Sequence, residues 1–187
     1  YDKLLSRYPY GIYADQAILD SAYAHYKLNQ RAQAIADCDR FIQLHPTHPR
    51  IDYAYYLKAL AYEVKVGGFF DFLGTPDIAE RDPQASQDAF DAFKELITRY
   101  PDSQYVADSR QRMQHLKRIL ARSEINNARF YLRRGAPLAS IGRAKSVLSD
   151  FQDAPEREDA LAVLVAAYDR LQETTLRDDA LRVLKQN

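Results

Sequence analysis

Residues 14–46 read ADQAILDSAYAHYKLNQRAQAIADCDRFIQLHP, and this stretch contains the most complete repeat pattern of the chain. Ala22, Ala34 and Pro46 follow one another at intervals of twelve residues. A small residue lets two helices approach closely, and proline ends a helix because its ring and missing N–H stop the hydrogen-bond ladder. The apolar residues between these positions recur at helical spacing. The stretch therefore predicts two packed helices followed by a sharp stop.

The end of this stretch recurs along the chain. Two apolar residues, two spacers and an aromatic or His residue, usually followed by Pro, occur at residues 4–9, 41–46, 96–101 and 147–152, the last with Gln in place of Pro. The final positions are 37, 55 and 51 residues apart, and a tetratricopeptide repeat has about 34 residues, so the longer intervals require insertions. The sequence predicts an all-α protein, an α-solenoid of tetratricopeptide-like helix-turn-helix repeats. A generic helical bundle is the alternative.

Nine helices are expected, near residues 13–28, 31–45, 50–66, 84–100, 103–122, 124–134, 137–151, 155–171 and 175–186. Residues 1–8 end a truncated first repeat. We expect N-terminal repeats over residues 1–102, with an insertion at 67–83, and C-terminal repeats over residues 103–187, in one continuous solenoid. First helices would line a concave groove and second helices the convex face.

The insertion is rich in phenylalanine, with Phe69, Phe70 and Phe72 close together. Long connections of this kind are uncommon and often functional. The three rings either pack back on the neighbouring helices or bind another molecule.

Charge is distributed unevenly although 26 basic and 26 acidic residues cancel. Residues 99–145 hold 11 Lys and Arg against 3 acidic residues, whereas residues 150–179 hold 3 Arg against 9 acidic residues. Such a basic stripe steers an acidic partner, or it is a solvated face paired with the acidic segment. The stripe consists of Arg110, Arg112, Lys117, Arg118, Arg122, Arg129, Arg133 and Arg134.

Tyrosine is concentrated in the N-terminal third. Tyrosine offers a large contact area at low entropic cost, which suits peptide capture, although a core position with a solvated hydroxyl is the alternative for each one. The candidates for peptide binding are Tyr8, Tyr10, Tyr13, Tyr53 and Tyr62.

Enzyme and metal chemistry find no support in the sequence. His45 and His48 lie in a turn that contains Pro46 and Pro49, with no third ligand in view, and Cys38 occupies an apolar helix position. There is no phosphate-binding glycine loop, nucleophile elbow or paired-carboxylate motif. We expect a non-enzymatic protein without a cofactor or metal, and the zero net charge does not favour nucleic acid.

Several blocks resemble the BamD family, lipoproteins of the outer-membrane β-barrel assembly machinery, and they fall in order over nearly the whole chain. They are RYPYG at residues 7–11, RFIQLHPTHPRIDY at 40–53, GFF at 68–70, RDPQ at 81–84, YPDSQY at 100–105 and RGA at 134–136.

The resemblance implies a scaffold on the periplasmic face of the outer membrane of a Gram-negative bacterium. It implies that the C-terminal repeats bind a POTRA domain of the insertase BamA, with Arg143 facing that domain and Arg129, Arg133 and Arg134 in support. The N-terminal repeats would receive unfolded outer-membrane β-barrel proteins, and BamC and BamE would be further partners. The lipid-bearing Cys of the family and most of its first repeat are absent from the printed sequence, so we expect that anchor to lie upstream.

A different periplasmic repeat adaptor, such as a cell-division coordinator that also uses Tyr-Pro-x-Ser-x-Tyr, is the second hypothesis. Repeats of that kind lack the long Phe-rich insertion, so residues 67–83 favour the first.

Overall fold

The computed structural model describes residues 13–63 and 82–186, which are helices joined by short turns. Within these residues no strand occurs and neighbouring helices pack in a repeat-like array, which confirms the predicted all-α fold. The eight helices are α1 (Ala14–Lys27), α2 (Arg31–Leu44), α3 (Ile51–Tyr62), α4 (Pro83–Arg99), α5 (Val106–Arg133), α6 (Pro137–Asp150), α7 (Glu156–Arg170) and α8 (Thr174–Gln186).

The chain divides into two compact units, Tyr1–Leu116 and Lys117–Asn187, and the boundary falls inside α5. The predicted division after residue 102, and the continuity of the solenoid, stay predictions.

One type of turn follows the second helix of a pair. His45, Tyr100 and Phe151 end α2, α4 and α6 with φ between −131° and −124° and ψ between 52° and 66°. In each turn the amide three residues later donates to the carbonyl oxygen of that residue, over 3.0 to 3.1 Å. The third turn has Gln152 where the others have proline. The turn therefore repeats without needing the proline ring.

A second type of turn joins the two helices of a pair. Asn29, Gly135 and Gln172 have φ values of 59°, 75° and 61°, in the left-handed region, and each lies two residues before the next helix begins. The following amide donates to the carbonyl oxygen five residues earlier, over 2.8 to 3.0 Å. This is the Schellman pattern that satisfies free carbonyls at a helix end. Because this spacing is the same in all three turns, positions in α2, α6 and α8 can be matched by counting from the residue with positive φ.

Replacing either of two glycines in this region by alanine should change the free energy of unfolding, with opposite signs at the two positions. Gly135→Ala should lower the free energy of unfolding by roughly 1 kcal/mol, because a side chain disfavours the left-handed conformation. Gly142→Ala, within α6, should raise it by about 0.5–1 kcal/mol, because alanine favours a helix. A Cβ atom at either position meets nothing within 4 Å, so packing does not disturb the comparison. Urea unfolding measures both; equal shifts of one sign would contradict the turn geometry.

Small residues lie at the helix crossings of the first unit. Ala22 and Ala34 are fully buried, and Ala22 shares a cluster with Cys38 and Leu57, so that α1, α2 and α3 meet there. Burial raises the pKa of the Cys38 thiol to about 12. The thiol therefore stays protonated at neutral pH and packs as a small apolar group, in agreement with the sequence-based interpretation.

The core of the second unit joins four helices. The C-terminal half of α5 contributes Ala121, Ile125 and Ala128, which pack with apolar residues of α6, α7 and Ala180 of α8. Helix α7 packs against both α6 and α8.

Two predicted helix boundaries were wrong. Residues 103–122 and 124–134 were expected to form two helices, but α5 runs without interruption from Val106 to Arg133. No Pro or Gly occurs in this range, and Ser123 is buried at 7% exposure within the helix. Nothing in the local chemistry ends a helix at that point. The third helix, expected to reach residue 66, ends at Tyr62, and the backbone of Glu63 is extended with ψ of 119°.

Candidate protein-binding surfaces

The structure places the predicted tyrosines in different environments. Tyr13 is 69% exposed at the start of α1. Tyr53 is half-buried. The centroid of its ring lies 5.8 Å from that of the Tyr105 ring and 5.1 Å from the Arg50 guanidinium carbon. Tyr62 is partly exposed at the end of α3. Tyr8 and Tyr10 lie outside the described residues, as do Phe69, Phe70 and Phe72 of the insertion.

A polar network that the sequence did not predict joins α3 and α5. Tyr56 donates a hydrogen bond of 2.6 Å to Asp108, which also accepts from Arg112 at 2.6 Å. Arg112 reaches Glu63 as well, at 2.5 Å. The Tyr56 ring stacks on the Tyr105 ring with a centroid distance of 4.5 Å and an interplanar angle of 12°. The network fixes the end of α3 against α5.

Burial and hydrogen bonding set the protonation states of Asp108 and Tyr56 in this network. Burial alone would raise the pKa of Asp108, but the hydrogen bonds from Tyr56 and Arg112 lower it below its usual value. Burial, with the bond to Asp108, raises the pKa of Tyr56 to about 12. The carboxylate is therefore ionised and the phenol neutral at physiological pH, so donor and acceptor roles are defined.

Tyr62 also borders an open cavity of about 290 Å³ between α3 and α4. Its other polar lining residues are Lys58, Asp88, Asp91 and Glu95. Lys58 forms a 2.6 Å ion pair with Asp39 of α2. This side of the first unit is acidic, with one tyrosine at its edge.

Two arginines of the basic stripe are paired with acidic side chains of another helix. Arg129 lies 2.5 Å from Asp159, and Arg122 lies 3.5 Å from the buried Glu156. The two acidic partners belong to α7, within the acidic segment. Internal pairing, one of the two sequence interpretations, is thus observed for Arg122 and Arg129.

Arg143 lies on the outer side of α6. It donates to both carboxylate oxygens of Glu124 on α5, each at 3.2 Å, and 47% of its side chain is exposed. Arg133 and Arg134 are exposed near the turn between these helices, and Arg134 lies 5.4 Å from the centroid of the exposed Phe130 ring. Cationic side chains beside exposed apolar surface are typical of protein interfaces.

The two turn histidines have structural contacts. His45 and His48 lie with ring centroids 5.2 and 5.1 Å from the Phe41 ring, and His48 also lies 3.2 Å from the Asp15 carboxylate. Over residues 13–63 and 82–186, no group of three potential His, Cys, Asp or Glu ligands comes together.

The model of the YfiO family, described as outer membrane lipoproteins, matches residues 1–183 of the chain. The chain belongs to this family. A protein of Neisseria meningitidis serogroup B called "Outer membrane protein assembly factor BamD" is 41% identical over 187 residues, all of this chain and 70% of the relative. Proteins of the same name from Xylella fastidiosa and Vibrio cholerae serotype O1 are 38% and 37% identical, over 100% and 91% of this chain and 64% and 70% of their own lengths.

Membership confirms the resemblance to the BamD family that the sequence motifs indicated. The relatives are named as assembly factors, in agreement with the prediction of a non-enzymatic protein. The family description associates the chain with the outer membrane. None of the helices that the structure describes is both long and apolar enough to cross a bilayer.

Proposed function

We propose that this chain is a non-enzymatic scaffold of the outer-membrane β-barrel assembly complex, acting at the periplasmic face of the outer membrane. One observation carries the proposal: a relative 41% identical over the whole chain is named as an outer membrane protein assembly factor. Helical repeats offer extended surfaces for binding other proteins, so the function is recognition and no bond is made or broken.

The second unit is the proposed binding site for a POTRA domain of BamA. Arg143 supports this assignment because nearly half of its side chain is exposed and Glu124 engages only one of its nitrogen atoms. A guanidinium carries five N–H donors, so others stay available for a carboxylate or carbonyl of the partner. Arg133 and Arg134 extend the cationic surface. Arg129 contributes only if it exchanges Asp159 for a partner group.

The first unit is the proposed site for unfolded outer-membrane β-barrel proteins, with BamC and BamE as further partners. Tyr13 and Tyr62 support this assignment through their exposed ring surface. Tyr53 is packed against Tyr105. Tyr8, Tyr10 and the three Phe residues of the insertion belong to the same proposal. A lipid anchor upstream of the printed sequence would hold the protein at the membrane.

Affinity purification of the full-length, lipidated protein from its native envelope tests this function. The expected result is co-purification of a POTRA-containing insertase together with accessory outer-membrane lipoproteins, identified by mass spectrometry. Recovery of cell-division proteins without any insertase would contradict the proposal and favour the alternative adaptor. A tagged outer-membrane lipoprotein of unrelated fold, purified in parallel, controls for detergent-resistant membrane fragments.

A further inference from the structure

The turn between α5 and α6 lies in a stretch of the chain without acidic residues. Residues 125–149 include four arginines and one lysine, but neither Asp nor Glu. Arg129 and Arg143 each have a carboxylate partner from outside this stretch. Arg133 and Arg134, at the turn itself, are exposed and form no ion pair within the described residues.

The end of α7 lies beside this turn, since Arg170 donates a hydrogen bond to the carbonyl oxygen of Leu132. Asp169 at that end is already paired with Arg177. Arg170 and Glu173 bring one charge of each sign. The neighbouring helix end therefore leaves the positive charge of the turn uncompensated.

Two large apolar side chains are exposed at the same turn. Phe130, in the last turn of α5, is 46% exposed, and Leu138, at the second position of α6, is 73% exposed. The guanidinium carbon of Arg134 lies 5.4 Å from the centroid of the Phe130 ring. The turn therefore presents cationic and apolar groups together.

The backbone of the turn is satisfied internally. The amides of residues 134–136 donate to carbonyl oxygens in the last turn of α5, over 3.0 to 3.2 Å. An unpaired amide is costly where water is scarce, and all three of these amides are paired. The turn can therefore approach an apolar boundary without leaving these donors unsatisfied.

We propose that this turn, through Phe130, Arg133, Arg134 and Leu138, contacts a lipid surface that carries anionic phosphate headgroups. The guanidinium groups bind phosphate oxygens, and the two apolar side chains enter the boundary between headgroups and acyl chains. Charge complementarity and the family description as outer membrane lipoproteins select this occupant, because a phospholipid surface offers phosphate and an apolar boundary side by side. The proposal goes beyond the scaffold function and shares only the two arginines with the site proposed for the insertase.

Co-sedimentation with sucrose-loaded vesicles tests this contact on the whole chain in about 0.1 M salt. The chain should bind vesicles made of phosphatidylcholine and phosphatidylglycerol in equal parts, and it should not bind vesicles of phosphatidylcholine alone. Arg133→Glu combined with Arg134→Glu should weaken binding about 30-fold or more, because the attraction of two cations to the surface is lost. The helical circular dichroism spectrum should be unchanged, since both side chains are exposed.

The matched control is Lys117→Glu combined with Arg118→Glu. This adjacent basic pair is on the same helix, 16 positions before the first pair, or about 24 Å along the axis. The net charge changes equally, but the Debye length at this salt is about 10 Å, so binding should fall by no more than about twofold.

Leu138→Ala tests the apolar part of the contact without any change of charge. It should weaken binding several-fold, because less apolar surface leaves water on binding. Leu44→Ala, at a 55% exposed position of α2, should leave binding unchanged.

Equal binding to both kinds of vesicle, or equal losses for the two double variants, would overturn the proposal. So would displacement by inorganic phosphate beyond that caused by sodium chloride of the same ionic strength, since the ligand would then be the free ion. If the chain binds no vesicles, and the Arg133 and Arg134 double variant loses insertase binding, the turn contacts a protein and the proposal fails. The vesicle assay contains no insertase, so its failure leaves the role proposed for Arg143 untouched.

Discussion

Reversing the charge of Arg143 is expected to weaken the proposed binding to the BamA periplasmic domains about 30-fold or more. Removing one member of a desolvated interfacial charge pair costs roughly 2–5 kcal/mol, and 1.4 kcal/mol corresponds to a factor of about ten in affinity. The fold should tolerate Arg143→Glu, because the pair with Glu124 is partly exposed and such pairs contribute only about 0–1 kcal/mol. Surface plasmon resonance with the purified periplasmic domains measures the affinity.

Two further variants separate loss of the interface from loss of the internal ion pair. Arg143→Glu combined with Glu124→Arg restores an attractive pair between α5 and α6 but leaves a negative charge at position 143, so binding should stay weak. Lys145→Glu makes the same charge change two positions along α6 and should reduce binding by less. Recovery of affinity in the double variant would show that Arg143 acts through Glu124 and would contradict a direct contact.

Phe41→Ala is expected to lower the free energy of unfolding by roughly 3–5 kcal/mol, a large share of the 5–15 kcal/mol typical of a domain. The ring is 0% exposed, and it belongs to a cluster that includes residues of α1, α3 and α4. Its removal leaves a cavity where four helices meet. Urea unfolding of the whole chain, followed by circular dichroism, measures the loss.

Leu44→Ala is the matched control for this substitution. Leu44 is on the same helix, three residues further along, but is 55% exposed. Its replacement should change stability by no more than about 0.5 kcal/mol. Similar losses at positions 41 and 44 would mean that α2 is packed in a different rotation about its axis.

The helix stops were predictable because they depend on local chemistry. Pro46 and Pro101 end helices by removing a donor and crowding the preceding turn, and the recurring apolar pattern before them was sufficient to find Gln152 as a third case. The mistaken break near residue 123 was avoidable on the same grounds, since no helix breaker occurs within α5.

The candidate surfaces were predictable only in part. Composition correctly indicated an arginine-rich segment, but it did not show that Arg129 pairs with Asp159, 30 residues away. Tyr56 was not selected as a site, because its partner Asp108 lies 52 residues further along the chain. No periodic pattern within one helix carries information about such partners.

An all-helical chain of repeated pairs follows from the local sequence, because turns and helix ends depend on residues within a few positions of one another. The burial of a given side chain, in contrast, follows from the packing of helices that are distant along the chain. Packing buries Phe41 beneath α3 but leaves Leu44 of the same helix 55% exposed. Burial depends on whether another helix lies above a residue, and no local preference of the residue itself contains that information.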